Sequence, residues 1–318
     1  MSTGIPVVAV YGGANIDIQA RSRNPYRPGD SNPGTSSMSL GGVGRNIAEN
    51  VARLGLPTEL VTVLGTDEMA SMLIADCSQV GIELGNSLIL PDVPTSRYVC
   101  LLDADGSLVG AVAAMDGLER FGPRELAERY GPGDAAAVVV IDANLPAETI
   151  AAAVLRWKDK PLLLDTVSVT KAARAAPVVG GFALVKPNRK EARVLLGLDP
   201  DGDDTLPSVI FSAKAMLALG VREVFISLGA DGMLWANTGG MGVVRPLALP
   251  VINVSGAGDA ATATLAWATA QGFDSSRKAS LAITASSLCA SRVDAVAKDM
   301  NEDRLLTLSK GVRNESIS

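Results

Sequence analysis

Asn253-Val-Ser-Gly256-Ala257-Gly258-Asp259 is a glycine turn that leads directly into a segment with helical spacing. Gly256, Ala257 and Gly258 therefore place consecutive backbone N–H groups at a helix start, where the helix dipole favours an anion. The two glycines let phosphate oxygens approach without meeting a Cβ atom. Asp259 follows where a carboxylate could take the proton of a hydroxyl that attacks the phosphate. Because Asp259 lies at a helix N-terminus, we expect its pKa to be lowered, which phosphoryl transfer tolerates.

Two other interpretations of this turn remain open. Gly256-Ala-Gly258-Asp-Ala-Ala261 also fits the GxGxxA fingerprint of dinucleotide-binding folds, which would indicate a nucleotide-dependent oxidoreductase. That fingerprint normally opens a strand–helix–strand unit, whereas Gly258–Ala270 and Arg277–Ser291 are both predicted to be Ala-rich helices. The turn could also be structural, with Asp259 as an ordinary first-turn residue. The sequence has no GxxxxGK[ST] segment, which excludes a P-loop enzyme.

Short apolar runs alternate along the chain with segments whose apolar residues have helical spacing. This alternation predicts a parallel sheet covered by helices on both faces, the α/β class. The length of 318 residues fits two domains or one large α/β domain with an addition, and needs no disulfide or metal for stability. The predicted strands are Val7–Tyr11, Leu60–Leu64, Ala137–Ile141, Leu162–Leu164, Ala183–Val185 and Val224–Ser227.

Two stretches interrupt this alternation. Asp17–Leu40 is polar and rich in Pro, Gly and Ser, without a helical pattern. Ser96–Leu102 and Leu108–Ala113 flank a glycine-terminated turn and predict a β-hairpin. We expect the polar stretch and the hairpin to pair into a small sheet that covers a site, since long loops in compact domains are usually functional or disordered. The alternative is that Asp17–Leu40 is a solvated loop.

Two further glycine turns near the start carry short polar side chains. Gly41-Gly42-Val-Gly44-Arg45-Asn46 opens a predicted helix, and Gly12-Gly13-Ala-Asn15-Ile-Asp17 follows the first predicted strand. Glycine lets a ligand approach the backbone closely, and Asn or Asp can bridge the neighbouring hydroxyls of a sugar. The simpler alternative for Asn15 and Asp17 is an Asx turn.

Two turns in the second half also follow predicted strands. Lys186-Pro-Asn188-Arg-Lys-Glu191 starts a helix and resembles a capping box, which is one interpretation of Asn188 and Glu191. The other is that Glu191 holds the water shell of Mg²⁺ at the carboxyl edge of the sheet, where α/β proteins bind ligands. Ser227-Leu-Gly229-Ala-Asp-Gly232 suits nucleotide phosphates or an ordinary β-turn.

Composition excludes several classes of chemistry and of partner. Histidine is absent, which excludes Ser-His-Asp and Cys-His nucleophile systems and HExxH zinc sites. Lys and Arg number 28 against 34 Asp and Glu, so we expect neither a nucleic-acid nor a membrane-surface partner. Three cysteines without CxxC spacing, a start without a cationic signal region and no apolar run of about 20 residues lead us to expect a cytoplasmic protein.

Together the motifs resemble the PfkB/ribokinase-like family of carbohydrate and nucleoside kinases. Its two signatures occur in order at Gly41–Gly55 and Asn253–Asp259, with Asn188-xx-Glu191 and Ser227–Gly232 between them. The resemblance spans essentially the whole chain and implies one domain over residues 1–318. The implied fold is a ribokinase-like three-layer α/β/α sandwich with a mostly parallel central sheet. A small β-sheet lid would form from about residues 17–40 and 96–114.

Within the family, four segments look most like the members that phosphorylate pseudouridine: Asp30–Gly34, Gly42–Asn50, Leu184–Asn188 and Val251–Asp259. This likeness implies ATP-dependent, Mg²⁺-assisted phosphorylation of the ribose 5′-hydroxyl of that nucleoside. The partners would then be the nucleoside, ATP and a second copy of the chain, because the lid of this family often pairs two subunits. Another sugar or nucleoside kinase of the family, acting on ribose or uridine, is the nearest alternative, and a non-catalytic nucleoside-binding protein on the same fold is a second.

The resemblance also implies a role for each matching position. Asp259 matches the catalytic base, and the anion hole for the transferred phosphoryl group matches Gly256, Ala257 and Gly258. The positions that match ribose contacts are Asn15, Asp17, Gly42 and Asn46. Ser31 and Asn32 are proposed to recognise the nucleobase of the substrate. The positions that match the Mg²⁺/phosphate motif are Asn188 and Glu191, and those on the ATP side are Ser227, Gly229 and Gly232. Lys186 is a further candidate for binding ATP, because its charge would offset the acidic balance of the chain.

One departure from the family pattern concerns a monovalent cation. Most members carry Asp-Thr where this chain has Asn253-Val254, next to a site for an activating ion such as K⁺. A neutral amide attracts a cation less strongly than a carboxylate does. The sequence therefore leaves activation by K⁺ open.

Overall fold

The structure is a computed structural model and describes residues 5–317. Its strands are β1 Val8–Tyr11, β2 Asn15–Ser22, β3 Gly34–Gly41, β4 Thr58–Val61, β5 Val63–Leu64, β6 Ile82–Glu83, β7 Leu88–Ile89, β8 Arg97–Leu102, β9 Leu108–Ala114, β10 Val138–Asp142, β11 Leu162–Asp165, β12 Leu184–Lys186, β13 Glu223–Ser227, β14 Met233–Asn237, β15 Gly240–Val244 and β16 Asn314–Ile317. Its α-helices are α1 Val43–Arg53, α2 Glu68–Val80, α3 Pro123–Ala127, α4 Tyr130–Ala135, α5 Ala147–Trp157, α6 Val169–Ala172, α7 Arg189–Leu195, α8 Leu206–Ala218, α9 Ala257–Ala270, α10 Ser275–Ala290 and α11 Glu302–Leu308.

One large sheet organises the molecule. Within residues 5–317 it has ten strands, in the order β16-β15-β14-β13-β12-β11-β10-β1-β4-β6. From β6 to β13 every neighbouring pair is parallel, and β14, β15 and β16 continue the sheet as an antiparallel edge. The predicted α/β class with a mostly parallel sheet is therefore confirmed.

Strand β1 explains why its sequence is apolar without interruption. Val8 and Val10 point into the core that α1, α9 and α10 close on one face, whereas Ala9 and Tyr11 point into the core on the other face. All four residues are fully buried. Since successive side chains of a strand alternate between faces, a strand covered by helices on both sides needs apolar residues at every position.

A second, smaller sheet stands outside this core. It has the strand order β3-β2-β8-β9, in which β2 pairs with β3 and β8 with β9 in antiparallel fashion, while β2 and β8 are parallel. The predicted hairpin is thus present as β8 and β9, and the polar stretch after Asp17 pairs with it. We call these four strands the small sheet.

The structure differs from the predicted strands in two places. The run Leu60–Leu64 is divided at Thr62, because β4 joins the large sheet while β5 pairs with β7 in a separate two-stranded sheet. The antiparallel edge strands β14 to β16 were also not predicted: glycines interrupt the apolar pattern of β15 and polar residues that of β16, whereas β14 is a short apolar run that was overlooked. No helix within the described residues has both the length and the apolar character needed to cross a bilayer.

The parallel strands bring the predicted polar turns to one edge. The turns after β1, β10, β11, β12 and β13 all follow the carboxyl ends of neighbouring strands. Helix α1 contacts both β1 and α9, so the glycine turns that open α1 and α9 reach the same region. Motifs spread over more than 200 residues of sequence therefore surround one site.

Candidate active site

The start of α9 is built around a glycine that no other residue could replace without strain. Gly256 has φ 76°, in the left-handed region, and is the residue immediately before the helix. A Cβ atom there would lie 1.9 Å from the carbonyl oxygen of Ala295. The N–H of Ala257 donates to the carbonyl of Val254 at 3.3 Å, whereas the other N–H groups at the start of a helix have no partner inside it and can face an incoming anion.

Asp259 lies half-buried in the first turn of α9 and is held by α1. Asn46 Nδ2 donates a hydrogen bond of 2.8 Å to Oδ2 of Asp259. Burial and the like charge of Asp165 raise the pKa of Asp259 to about 7, against the opposing effects of Asn46 and Lys186. The lowered pKa predicted from the helix N-terminus alone is wrong, because loss of water outweighs the dipole here. A carboxylate with this pKa is a better proton acceptor at neutral pH than an ordinary Asp.

A buried cation lies beside the same turn. Lys186 ends β12, and its Nζ is 3.2 Å from Oδ2 of Asp165 at the end of β11. Nζ also lies 3.1 Å from the point where a Cβ on Gly258 would be. Burial opposes the charge of Lys186, but Asp165, Glu191 and Asp259 together raise its pKa above the usual value. A permanent positive charge therefore stands next to the backbone donors of α9.

Asp165, which the sequence analysis did not single out, connects three elements of the site. Its Oδ1 accepts the N–H of Val167 at 2.9 Å, and its Oδ2 accepts the hydroxyl of Thr262 on α9. Val167 has φ 64° and is the one non-glycine residue with positive φ in the described part of the chain. Because Ser168 N–H donates to the carbonyl of Thr166 at 2.6 Å, this is a tight three-residue turn, a strained arrangement for a β-branched residue.

Two cavities open at the carboxyl edge, and Val167 lines both. The small cavity encloses about 180 Å³ and the large cavity about 670 Å³. The small cavity is lined by Gly13, Ala14, Asn15, Gly42, Val43, Asn46, Ser96, Met115, Leu118, Asn144 and Val167. The predicted residues that line the large cavity are Lys186, Asn188, Glu191, Ser227, Gly229, Gly232, Ala257, Gly258 and Asp259.

Only some of the residues predicted to contact the substrate line the small cavity. Asn15, Gly42 and Asn46 line the small cavity. Asp17 is one step removed, since its Oδ1 accepts a 2.6 Å hydrogen bond from Asn15 Nδ2. Ser31 and Asn32 lie in the turn between β2 and β3 and line neither cavity, and Asn32 instead hydrogen-bonds the backbone of Arg27.

Asn188 and Glu191 form the capping box that was one of their two interpretations. Asn188 Oδ1 accepts from Glu191 N–H at 2.9 Å, and Glu191 Oε2 accepts from Asn188 N–H at 2.9 Å. Glu191 also accepts hydrogen bonds from the hydroxyl of Thr166 and from Nδ2 of Asn188. Since each carboxylate oxygen has two lone pairs, Oε1 keeps one free for the water shell of a Mg²⁺ ion, which usually retains several of its waters.

The turn after β13 contributes glycines with two different surroundings. Gly232 has φ 103°, and a Cβ atom there would lie 1.9 Å from the carbonyl oxygen of Val244. Gly229 has φ 64° and open space around it. Ser227 at the strand end is half-buried and pairs through a β-bridge with Asn188. This turn thus adds a polar, backbone-rich wall to the large cavity.

A second buried carboxylate was also missed by sequence reasoning. Asp142 ends β10, and its oxygens accept the N–H groups of Gly13 at 2.8 Å and Asn144 at 2.9 Å. Burial raises the pKa of Asp142 to about 6. Its position at the end of an apolar strand was the available signal, but only the order of strands in the sheet puts it against the Gly12-Gly13 turn.

Comparisons with known proteins show which proteins this chain resembles. Residues 6–302 match the family described as pfkB family carbohydrate kinase. The pseudouridine kinase of Escherichia coli strain K12 is 34% identical over 260 residues, which cover 81% of this chain and 82% of that protein. A carbohydrate kinase from Agrobacterium tumefaciens has a structure with TM-score 0.87 at 27% identity, covering 98% of this chain and all of that one. Arabidopsis thaliana ribokinase, solved with ribose and ATP, shares the fold at TM-score 0.81 and 23% identity, over 96% of this chain and 99% of that one.

Proposed function

Because the chain belongs to the pfkB family of carbohydrate kinases, we propose that it transfers the terminal phosphoryl group of ATP to the ribose 5′-hydroxyl of pseudouridine. The observation that carries the transfer is the hydrogen bond between Asn46 and Asp259, which joins the small cavity to the large one. The choice of pseudouridine rests on the 34% identity to the Escherichia coli pseudouridine kinase over 81% of the chain.

The small cavity suits a ribose. Three amide side chains, Asn15, Asn46 and Asn144, line a space of about 180 Å³ together with the hydroxyl of Ser96. Amides donate and accept at once, which matches the paired hydroxyls of a sugar. Asp17 acts through Asn15 in this proposal, because its carboxylate fixes the direction of the Asn15 amide.

The large cavity suits a nucleoside triphosphate. Its apolar lining residues would receive the base, and the start of α9, the turn after β13 and the ammonium of Lys186 would face the phosphates. The charge of Lys186 and the helix dipole offset the acidic balance of the whole chain at this point. The apolar lining consists of Pro246, Leu247, Leu249, Val251, Val254, Ile283 and Ala290.

The chemistry then follows from the position of Asp259. The substrate hydroxyl would give its proton to the carboxylate of Asp259 while the hydroxyl oxygen forms a bond to the γ-phosphorus of ATP. The bond between that phosphorus and the oxygen that bridges it to the β-phosphate breaks, and ADP is released. Backbone N–H groups of the Gly256–Gly258 turn meet the negative charge on the transferred group. The proton on Asp259 returns to solvent after release of the product.

Residues that fit Mg²⁺ are Glu191 and Asn188. The free lone pair on Glu191 Oε1 and the exposed side of Asn188 would hold the ion through its waters. A bound Mg²⁺ supplies charge neutralisation on the phosphate oxygens. Asn188 and Glu191 would orient that ion while the capping box keeps α7 in place.

We further propose that the small sheet closes over the nucleoside before transfer. Closure would exclude water and bring Ser31 and Asn32 towards the base, which neither reaches in the present arrangement. If the purified enzyme hydrolyses ATP without nucleoside as fast as it phosphorylates the nucleoside, closure is not needed and the idea fails.

The experiment compares pseudouridine, uridine and ribose at equal concentrations, with ADP release as the readout. Phosphorus NMR of the product would locate the phosphate on the 5′-oxygen. We expect kcat/KM to be highest for pseudouridine. Equal use of uridine, or a preference for ribose, would reject pseudouridine as the substrate but leave the assignment as a kinase. Binding of nucleosides without any ADP release would instead favour a non-catalytic binding protein.

A further inference from the structure

By the family resemblance, Asn253 stands at a position that would carry a carboxylate beside a monovalent cation. Its side chain has two backbone partners in this structure. Oδ1 accepts the N–H of Ser255 at 3.0 Å, and Nδ2 donates to the carbonyl oxygen of Val293 at 2.8 Å. The amide thus bridges the turn before α9 and the segment after α10.

The orientation of this amide is fixed by the nature of its partners. A backbone N–H can only donate and a backbone carbonyl can only accept. Turning the Asn253 amide over would set its oxygen against the Val293 carbonyl and its NH₂ group against the N–H of Ser255. The nitrogen of the Asn253 amide must therefore face the carbonyl of Val293.

The bridge supports the anion-binding turn directly. Ser255 precedes Gly256, so the hydrogen bond from its N–H to Asn253 shapes the chain just before the first donor of the turn. The backbone N–H groups of Ile252 and Asn253 donate to the carbonyl of Ala290 at 2.8 and 3.1 Å. Since Gly256 packs against the backbone of Ala295, the whole turn is held against the segment of residues 290–295.

An aspartate at position 253 could not make this bridge. Both of its oxygens are acceptors when ionised, so one of them would face the carbonyl oxygen of Val293 without a hydrogen between them. A positive ion, or a water that donates to both, would then have to stand between the two oxygens. In this chain the NH₂ group of Asn253 takes the place of such an ion, because it donates a hydrogen to the Val293 carbonyl. Asn253 also lacks the carboxylate that would bind a cation here.

We propose that Asn253 is a positioning residue that replaces the monovalent cation, so that this enzyme phosphorylates its substrate without K⁺. The proposal rests on the function proposed above for the Gly256–Gly258 turn. It concerns only what keeps that turn in place: a covalent part of the chain rather than an exchangeable ion.

The first test uses the unaltered enzyme. We measure kcat/KM in K⁺, Na⁺ and tetramethylammonium chloride at constant ionic strength. The midpoint of thermal unfolding is measured in the same three salts, with and without a non-hydrolysable ATP analogue. We expect both quantities to be the same in the three salts. A stimulation by K⁺ of about tenfold or more in kcat/KM, or a stabilisation specific to K⁺, would overturn the proposal.

The second test is the variant Asn253→Asp. In tetramethylammonium we expect a loss of about tenfold in kcat/KM and a lower unfolding midpoint, because two acceptors are left facing each other. K⁺ should restore both. Asn301→Asp is the matched control, since Asn301 caps α11 and Asp caps equally well, so it should show no response to K⁺.

The outcomes separate this proposal from the proposed function. If Asn253→Asp is as active and as stable in tetramethylammonium as the unaltered enzyme, the bridge has no importance and the proposal fails. If pseudouridine is not phosphorylated in any salt, the proposed substrate fails, while the unfolding midpoints with the ATP analogue still decide whether Asn253 replaces an ion.

Discussion

Asn46 Nδ2 donates a 2.8 Å hydrogen bond to Asp259 Oδ2, across 213 residues of sequence. The direction of this bond is set by Arg45, whose Nη1 lies 3.2 Å from the other end of the amide, Asn46 Oδ1. Arg45 is itself buried and is held by Glu49 and Asp76, each at 2.6 Å. Since an arginine only donates, the amide oxygen must face it and the amide nitrogen must face the carboxylate. The charged cluster between α1 and α2 thus orients the proposed base.

The substitution Asp259→Asn tests the role of that base. We expect kcat to fall by about 10²–10⁴, because the amide cannot accept the hydroxyl proton. Stability at pH 8 should not fall, because the raised pKa of Asp259 means that the fold disfavours the ionised carboxylate. The measurements are ADP release, binding of the nucleoside by calorimetry and thermal unfolding.

Asp274→Asn is the matched control for that substitution. Asp274 caps α10 as an exposed residue, and Asn serves as well in that position, so activity should be unchanged. Full turnover by Asp259→Asn with normal binding would remove Asp259 from the mechanism.

The pH dependence of kcat/KM should report the raised pKa of Asp259. The free carboxylate is the active form, so activity is present above pH about 7 and is lost as the pH falls through that value. The variant Asp165→Asn removes a like charge next to Asp259, so the pH at which activity is lost should be lower than in the unaltered enzyme. This shift is expected even if kcat itself also changes. A profile that stays flat from pH 5.5 to 8, or an unmoved profile in the variant, would contradict the assignment.

The requirement for glycine at the start of α9 can be measured against a matched position. Gly256 and Gly272 both have φ 76°, but a Cβ on Gly256 meets the Ala295 carbonyl at 1.9 Å, whereas nothing lies within 4 Å of one on Gly272. Gly272→Ala should cost only the left-handed strain of about 1–2 kcal/mol in the free energy of unfolding. Gly256→Ala should cost more and also lower kcat, because the anion-binding turn must move. Equal effects in chemical denaturation and in turnover would show that the close contact is unimportant.

The sequence predicts those parts of the fold whose pattern is local. Val8–Tyr11 is apolar at every position because helices cover both faces, and the turn at Gly256 precedes a helix within one residue of the expected start. The stretch of residues 17–40 was expected to join the small sheet, but the bounds of β3 within it were not predicted, since its run of serines is exposed and carries no apolar alternation. Its existence depends on pairing with β2, which is a tertiary property.

The site shows the same division between local and tertiary information. Gly256 and Asp259 are recognisable because one short motif contains them both. Asp142 and Asp165 were missed, because each is a single carboxylate at a strand end and matters only through neighbours on other strands. The positive φ of Val167 has no signal in its Thr-Val-Ser surroundings, since no glycine or Asn marks it.

The proposed Mg²⁺ contact of Glu191 can be separated from its capping role. Glu191→Gln keeps an oxygen that accepts the Asn188 N–H but removes the charge and sets an NH₂ group against Nδ2 of Asn188, so we expect the Mg²⁺ concentration for half-maximal activity to rise about tenfold, together with a loss of about 1–2 kcal/mol in the free energy of unfolding. Glu125→Gln is the control, because Glu125 closes the capping contact of α3 with the N–H of Gly122 away from both cavities. If the two variants have the same Mg²⁺ dependence, Glu191 serves only as a cap.

The small sheet carries an apolar row that suits contact with a second copy of the chain, as the family resemblance implies. Met38, Ile18, Val99 and Val112 are consecutive partners across its four strands and therefore share one face. Val112 is 66% exposed and Met38 is 50% exposed, an unusual arrangement for aligned apolar side chains on a free surface.

We expect the substitution Val112→Glu to shift the protein from dimer to monomer, because it places a charge in the apolar row, where pairing of the two faces would bury it without a partner. Light scattering coupled to size-exclusion chromatography measures the mass directly. Leu155→Glu is the control, since Leu155 is 76% exposed on α5 and lies outside the apolar row of the small sheet. A dimer that persists in Val112→Glu, or an unaltered chain that is monomeric at micromolar concentration, would show that this face does not pair two subunits. Loss of the dimer should also raise KM for the nucleoside if pairing holds the small sheet near the cleft.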